Sequence, residues 1–147
     1  MPASFCGIVG MKPTHGLVPY TGILGHDPVI DHVGPMSRTV ADNALMLETL
    51  AGADGIDSRQ YAPRVTPYVE GLELGAKGLR IGVVSQGFEH PAGEADVNQT
   101  VREAAALFES LGAEVTEISI RDHAMASAFL AGMVIPISDM LFMSEGF

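Results

Sequence analysis

The stretch from Leu79 to Ile120 constrains the fold more than any other part of this 147-residue sequence. It begins with the apolar run LRIGVVSQ, continues with the amphipathic segment DVNQTVREAAALFESLG and ends with AEVTEISI, in which apolar and polar residues alternate. The outer segments predict strands, and the middle one predicts a helix whose inward face includes Val97, Val101 and Phe108. A strand, a crossover helix and a second strand favour a parallel pair, so we expect an α/β fold.

The rest of the chain falls into three further parts around this unit. Residues 1–52 begin with a Gly- and Pro-rich stretch and end in the helical pattern TVADNALMLETLAG, for which Thr39 is the expected N-cap. Residues 53–78 are polar and predict a surface connection, residues 79–122 form the βαβ-like unit, and residues 123–147 predict an apolar helical tail. We interpret these four parts as pieces of a single, incomplete domain.

Charge and cysteine content exclude several classes of function. The chain has 8 Lys and Arg against 18 Asp and Glu, for a net charge of -10, which argues against binding to nucleic acid or to an anionic membrane surface. Cys6 is the single cysteine, so an internal disulfide cannot form, and the N-terminal residues do not resemble a signal peptide. We therefore expect a cytoplasmic protein.

The most specific motifs lie in the first 50 residues, in PASFCGIVGMKPTHGLVPYTG and IDHVGPMSRTVADNALMLE. Together they resemble the amidase signature family, and within it the bacterial aliphatic and aromatic amidases. The residues that match the family pattern in order are Pro2, Phe5, Cys6, Gly7, Gly10, Lys12, Pro13, Thr14, Gly16, Asp31, Gly34, Pro35, Arg38, Val40 and Asp42. The βαβ-like unit fits the middle region of the family more loosely.

The resemblance implies a fold and a reaction. It implies that the chain is part of a mixed-sheet amidase signature fold with flanking helices, and that the parent enzyme hydrolyses a carboxamide to a carboxylate and ammonia without metal or cofactor. In the family a neutral Lys draws the proton of the nucleophilic Ser through a bridging Ser. All three align upstream of Met1, so we expect no catalytic residue in this chain and no activity from the chain alone.

Two positions are predicted to bind substrate. In the family the loop after GLVPYTG approaches the acyl pocket, and the resemblance places Gly25 and His26 in that loop; an ordinary surface turn is the alternative. Ser4 and Lys12 lie close in sequence and suggest a Ser–Lys pair. We instead interpret Ser4 as a packing residue and Lys12 as an ion-paired or solvated one.

The segment GHDPVIDH gathers His26, Asp27, Asp31 and His32, a composition that suggests a metal site. The spacing of the two histidines matches neither one face of a helix nor a common zinc motif. We therefore predict no metal site.

A second hypothesis is that the chain is a small α/β binding or oligomerisation module derived from an amidase segment. Its apolar tail would then be an oligomer interface. The expected partners follow from the hypothesis: a small-molecule amide for an enzyme, a second copy for a module, or a complementing amidase segment that supplies the Gly-Gly-Ser part.

Overall fold

The computed structural model describes residues 2–25, 29–91, 93–129 and 132. These residues divide into two compact units, a first unit from Met1 to Leu74 and a second unit from Gly75 to Phe147. The regular elements, in chain order, are α1 (Pro2–Cys6), β1 (Val9–Gly10), β2 (Met36–Ser37), α2 (Val40–Leu50), α3 (Tyr68–Gly71), β3 (Arg80–Val84), α4 (Ala95–Ser110), β4 (Glu114–Ile118) and α5 (Ala126–Phe129). Short 3₁₀ turns cover Leu72–Leu74, Ser85–Phe88 and Arg121–Met125.

A short antiparallel strand pair and one helix organise the first unit. In β1 and β2, Val9 lies opposite Ser37. The buried Asn43 of α2 ties the helix to this pair, because its Nδ2 donates to the Pro35 carbonyl at 3.1 Å and to the Val9 carbonyl at 3.5 Å. A buried amide with such partners orients the helix without leaving an unsatisfied donor.

Apolar packing in the first unit centres on the same helix. Ala44 and Leu47 of α2 are buried together with Val18 of the preceding loop. These side chains are the buried hydrophobic core of the described part of this unit, and their burial supplies its main hydrophobic stabilisation.

The start of α2 is the one predicted from the sequence. Thr39 has the extended backbone of an N-cap, and its Oγ1 accepts a hydrogen bond from the Asp42 amide at 3.1 Å. The same hydroxyl donates to Asp42 Oδ2 at 2.7 Å. The helix ends at Leu50, and Gly52 then turns away with φ +128° and donates its amide to the Leu17 carbonyl.

Replacing Thr39 by alanine is expected to lower the free energy of unfolding of the first unit by about 1 kcal/mol, because the Asp42 amide loses its acceptor. Urea unfolding followed by tyrosine fluorescence measures the loss. Thr49→Ala, in the last turn of the same helix, is the matched control and is expected to be neutral or slightly stabilising. Equal losses for the two variants would contradict the capping role.

The second unit contains the βαβ arrangement that the sequence predicts. Strands β3 and β4 are parallel, with Ile81 opposite Val115 and Val84 opposite Ile118, and α4 connects them and packs on β4. With the antiparallel pair of the first unit, this parallel pair confirms an α/β chain of mixed strand orientation.

The prediction of an inward apolar face on α4 is wrong for all three residues named for it. Val97 is 53% exposed, Val101 50% and Phe108 38%. The reason is geometric: two neighbouring strands lie only about 5 Å apart, so a two-stranded sheet is too narrow to cover one face of a 16-residue helix.

The predicted tail is described only at its start. Ala126–Phe129 form α5, whereas residues 130–131 and 133–147 lie outside the described residues. In the part of the chain that the structure describes, no helix combines the length and apolar character needed to cross a bilayer.

Candidate functional site

The candidate site is the loop from Gly16 to Gly25, which leads to the predicted substrate residues. Gly16 opens it with φ +73°, and a β-carbon at this position would lie 2.9 Å from the Arg59 carbonyl oxygen. Only glycine fits this turn without strain. Gln60 holds the start of the loop, because its Nε2 donates to the Gly16 carbonyl at 3.0 Å and to the Gly52 carbonyl at 2.7 Å.

Tyr20 anchors the middle of the loop through both its backbone and its side chain. Its amide donates to Asp57 Oδ2 at 2.8 Å, and its hydroxyl donates to Asp31 Oδ2 at 2.6 Å. The guanidinium carbon of Arg59 lies 4.1 Å from the centre of its ring, within the range of a cation–π interaction. A turn follows, in which the Ile23 amide donates to the Tyr20 carbonyl.

Arg59 joins these contacts into one network. Its Nη2 lies 3.0 Å from Asp57 Oδ2 and its Nε lies 3.1 Å from Asp57 Oδ1, which is a two-pronged charge-assisted pair. Its Nη1 donates to the Asp31 carbonyl at 3.3 Å. The two charged side chains are largely buried, at 15% exposure for Arg59 and 6% for Asp57. We call Tyr20, Asp31, Asp57 and Arg59 the Arg59 cluster.

Hydrogen bonds from Arg59 set the ionisation of Asp57. The pKa of the Asp57 carboxyl lies well below its ordinary value, because the side chain and then the backbone of Arg59 donate to it. When folding lowers the pKa of a carboxyl, the ionised group stabilises the fold. This contribution is complete at a pH above the ordinary pKa and is lost as the pH falls through the lowered value. The Asp57–Arg59 pair therefore stays ionised through the neutral range.

A second acid shapes the segment that presents Asp57 and Arg59. Asp54 Oδ1 accepts from the amides of Ile56 at 2.8 Å and Asp57 at 2.9 Å, which closes a tight turn. The pKa of Asp54 is lowered, first by a hydrogen bond with Thr21 and then by these two amides. Asp54 thus links its own turn to the Gly16–Gly25 loop.

The structure describes one of the two predicted substrate residues. Gly25 is exposed at the end of the loop, and a β-carbon there would lie 3.1 Å from Cε1 of the Tyr20 ring. His26 lies outside the described residues. The described loop thus places the exposed Gly25 backbone beside a ring that the Arg59 cluster holds in place.

The structure also places the residues weighed for other chemistry. Lys12 is exposed, as expected for a solvated residue, and its Nζ donates to the Pro13 carbonyl at 3.1 Å. Ser4 is exposed on α1, so its interpretation as a packing residue is wrong. The imidazole of His32 meets that of His15 edge-on, with ring centres 5.3 Å apart. Over the described ranges, no three His, Cys, Asp or Glu side chains gather in a way that could hold a metal ion.

A cavity of about 580 Å³ opens beside the start of the loop. Its lining consists of residues 11–17 and 61–64 together with Leu47 and Tyr68. Its size suits a small organic molecule. Lys12, His15 and Arg64 are among the lining residues, and all three have side chains that can donate hydrogen bonds.

Comparison with known proteins gives consistent results over nearly the whole chain. A family model described as Amidase matches residues 1–142. The chain is 47% identical over 130 residues to an enantioselective amidase of Rhodococcus rhodochrous, covering 87% of this chain and 25% of that protein. It is 44% identical over 118 residues to a glutamyl-tRNA(Gln) amidotransferase subunit of Synechococcus sp. (strain CC9902), covering 80% and 24%. The chain thus spans about a quarter of the length of these relatives.

Solved structures support the same fold. The crystal structure of a glutamyl-tRNA(Gln) amidotransferase subunit from Thermotoga maritima matches with a TM-score of 0.84 and 31% identity, over 96% of this chain and 31% of that one. A bacterial aryl acylamidase described as an amidase signature enzyme matches with a TM-score of 0.65 and 25% identity over 92% of this chain. These matches confirm the mixed-sheet fold that the resemblance implies.

Proposed function

We propose, since this chain belongs to the amidase signature family, that it is part of an enzyme that hydrolyses a small carboxamide to a carboxylate and ammonia. The observation that carries the proposal is the family match over residues 1–142, which includes every motif residue between Pro2 and Asp42. The relatives named above are an amidase and one subunit of an amidotransferase, so amide chemistry is common to both.

The chemical logic of the reaction assigns this chain a supporting role. An amide is a poor electrophile, so the attacking hydroxyl needs a base to remove its proton. We propose that the Lys and the two Ser residues of the family perform this step and that other parts of the enzyme supply them. We propose that residues of this chain form a wall of the acyl pocket through Gly25 and His26. The reaction uses no cofactor, and we place it in the cytoplasm, in keeping with a single cysteine.

A hybrid enzyme tests the proposal. The 130 matched residues of the Rhodococcus rhodochrous amidase are replaced by those of this chain, and ammonia release from aliphatic and aromatic carboxamides is measured. We expect the hybrid to work within about a hundredfold of the relative, because a small misplacement of a pocket wall costs about that much. The 147-residue chain alone is the control and is expected to release none.

Two results would count against this proposal. A folded hybrid without ammonia release would contradict a role in amide hydrolysis. Turnover by the chain alone, abolished in Ser4→Ala, would contradict the expected inactivity of the chain. It would assign the nucleophile to α1 instead.

The exposed apolar side chains on α4 favour a second candidate, a binding or oligomerisation module. Val97 and Val101 lie on the same face of that helix and are exposed. Such a face is often covered by a partner in an assembly, either a second copy or a complementing amidase segment. Sedimentation of the 147-residue chain separates the candidates, because a discrete oligomer with cooperative melting favours the module.

A further inference from the structure

The Arg59 guanidinium makes contacts to two parts of the chain that are distant in sequence. It pairs with Asp57 within its own segment, and it reaches the Asp31 carbonyl and the Tyr20 ring from the other side. The Tyr20 amide and the Tyr20 hydroxyl bind the carboxylates of Asp57 and Asp31. The loop is therefore held at its middle residue, Tyr20, by the Arg59 guanidinium and by Asp57 and Asp31, two residues that Arg59 also contacts.

We propose that Arg59 is a positioning residue: it fixes the Gly16–Gly25 loop and so sets the shape of the acyl-pocket wall. This inference rests on the proposed function, because the loop borders an acyl pocket only if the chain acts in an amidase. Asp57 acts together with Arg59, because its carboxylate accepts hydrogen bonds from both Arg59 and the Tyr20 amide.

Because the Asp57 and Arg59 side chains are largely buried, the Arg59 cluster depends on both charges. With Asp57 6% exposed and Arg59 15% exposed, neither group can replace its partner by water at low cost. The planar fork of arginine also matters, because the guanidinium binds two carboxylate oxygens and stacks on Tyr20 at once. Lysine preserves the charge but has no fork, so it can preserve only part of the arrangement.

Hydrogen exchange of the full 147-residue chain, measured by mass spectrometry, tests directly whether Arg59 fixes the loop. In Arg59→Ala we expect the loop amides of Tyr20 and Ile23 to exchange about tenfold faster, as charge-assisted hydrogen bonds are lost. The amides of β3, in the second unit, are expected to keep their rates. Arg59→Lys is expected to restore part of the protection.

Arg102→Ala is the matched control. Arg102 also pairs with a carboxylate, Glu117 at 3.2 Å, and also lies 4.1 Å from the centre of an aromatic ring, that of Phe88. Both partners of this pair are exposed, so its removal is expected to leave the loop amides unchanged. Unchanged loop exchange in Arg59→Ala would overturn the inference. So would an acceleration spread equally over α2 and the loop in both Arg59→Ala and Arg59→Lys.

The hybrid enzyme gives the functional readout. A wall that loses its position weakens substrate binding more than the chemical step, so Arg59→Ala is expected to raise KM about tenfold with kcat nearly unchanged. If the hybrid is active and Arg59→Ala leaves its KM unchanged, the inference is overturned and the proposed function stays in place. An inactive wild-type hybrid would reject the proposed function, and the exchange experiment would still decide whether Arg59 fixes the loop.

Discussion

Replacing Leu47 by alanine is expected to lower the free energy of unfolding of the first unit by about 3 kcal/mol. Leu47 is 2% exposed and lies on the face of α2 that it shares with the buried Ala44. Removing its side-chain methyls loses their burial and leaves a cavity, and both terms act in the same direction. A unit of about 75 residues has little stability to spare, so this loss is a large fraction of the total.

Tyrosine fluorescence during urea unfolding measures this effect selectively. The chain has no tryptophan, and its three tyrosines, Tyr20, Tyr61 and Tyr68, all belong to the first unit. Leu45→Ala is the matched control, because Leu45 lies on the same helix and is 58% exposed. Leu45→Ala is expected to lower the free energy of unfolding by no more than about 0.5 kcal/mol. Similar losses for the two leucine variants would mean that Leu47 is not a core residue.

The parts of the fold that the sequence predicts correctly are those set by neighbouring residues. The periodicity of DVNQTVREAAALFESLG is enough to predict α4, and the apolar runs on either side are enough for β3 and β4. The N-cap of α2 is equally local, because Thr39 and Asp42 are separated by a single helical turn.

The Arg59 cluster could not be predicted in the same way. The Tyr20 amide and the Asp57 carboxylate are 37 positions apart, and a single sequence does not state which distant residues meet. The polar segment 53–78 predicts a surface connection because it contains two Pro and several Gly. A local signal was present in DGIDSRQ, whose acids close a turn, but that signal does not indicate the loop on which the turn packs.

The exposed face of α4 has a similar origin. An amphipathic pattern shows that a helix has an apolar side, but it does not show how wide a surface will be available to cover it. Among the described residues of the second unit that surface is a pair of strands, and Val97 remains exposed. The predicted substrate residues come from resemblance alone, and for Gly25 the structure adds the position beside Tyr20.

Replacing Gly34 by alanine is expected to destabilise the first unit by about 2–3 kcal/mol, because the added methyl group has no space. A β-carbon at Gly34 would collide with the carbonyl oxygen of Met11 and lie 2.9 Å from Cδ of Pro13. Both obstacles are rigid backbone or ring atoms. The chain must therefore separate at this point, which weakens the hydrogen bond from the Met11 amide to the Pro35 carbonyl.

The same tyrosine-detected unfolding experiment checks this prediction, with Gly71→Ala as the matched control. Gly71 lies in α3, and no atom is within 4 Å of the position its β-carbon would take. Alanine there removes backbone freedom from the unfolded chain, so the control is expected to be neutral or slightly stabilising. A less stable first unit also leaves less of the hybrid enzyme folded, so Gly34→Ala is expected to reduce its ammonia release. Unchanged stability in Gly34→Ala would show that the segment from Met11 to Pro13 moves aside at little cost, and would contradict the expected clash.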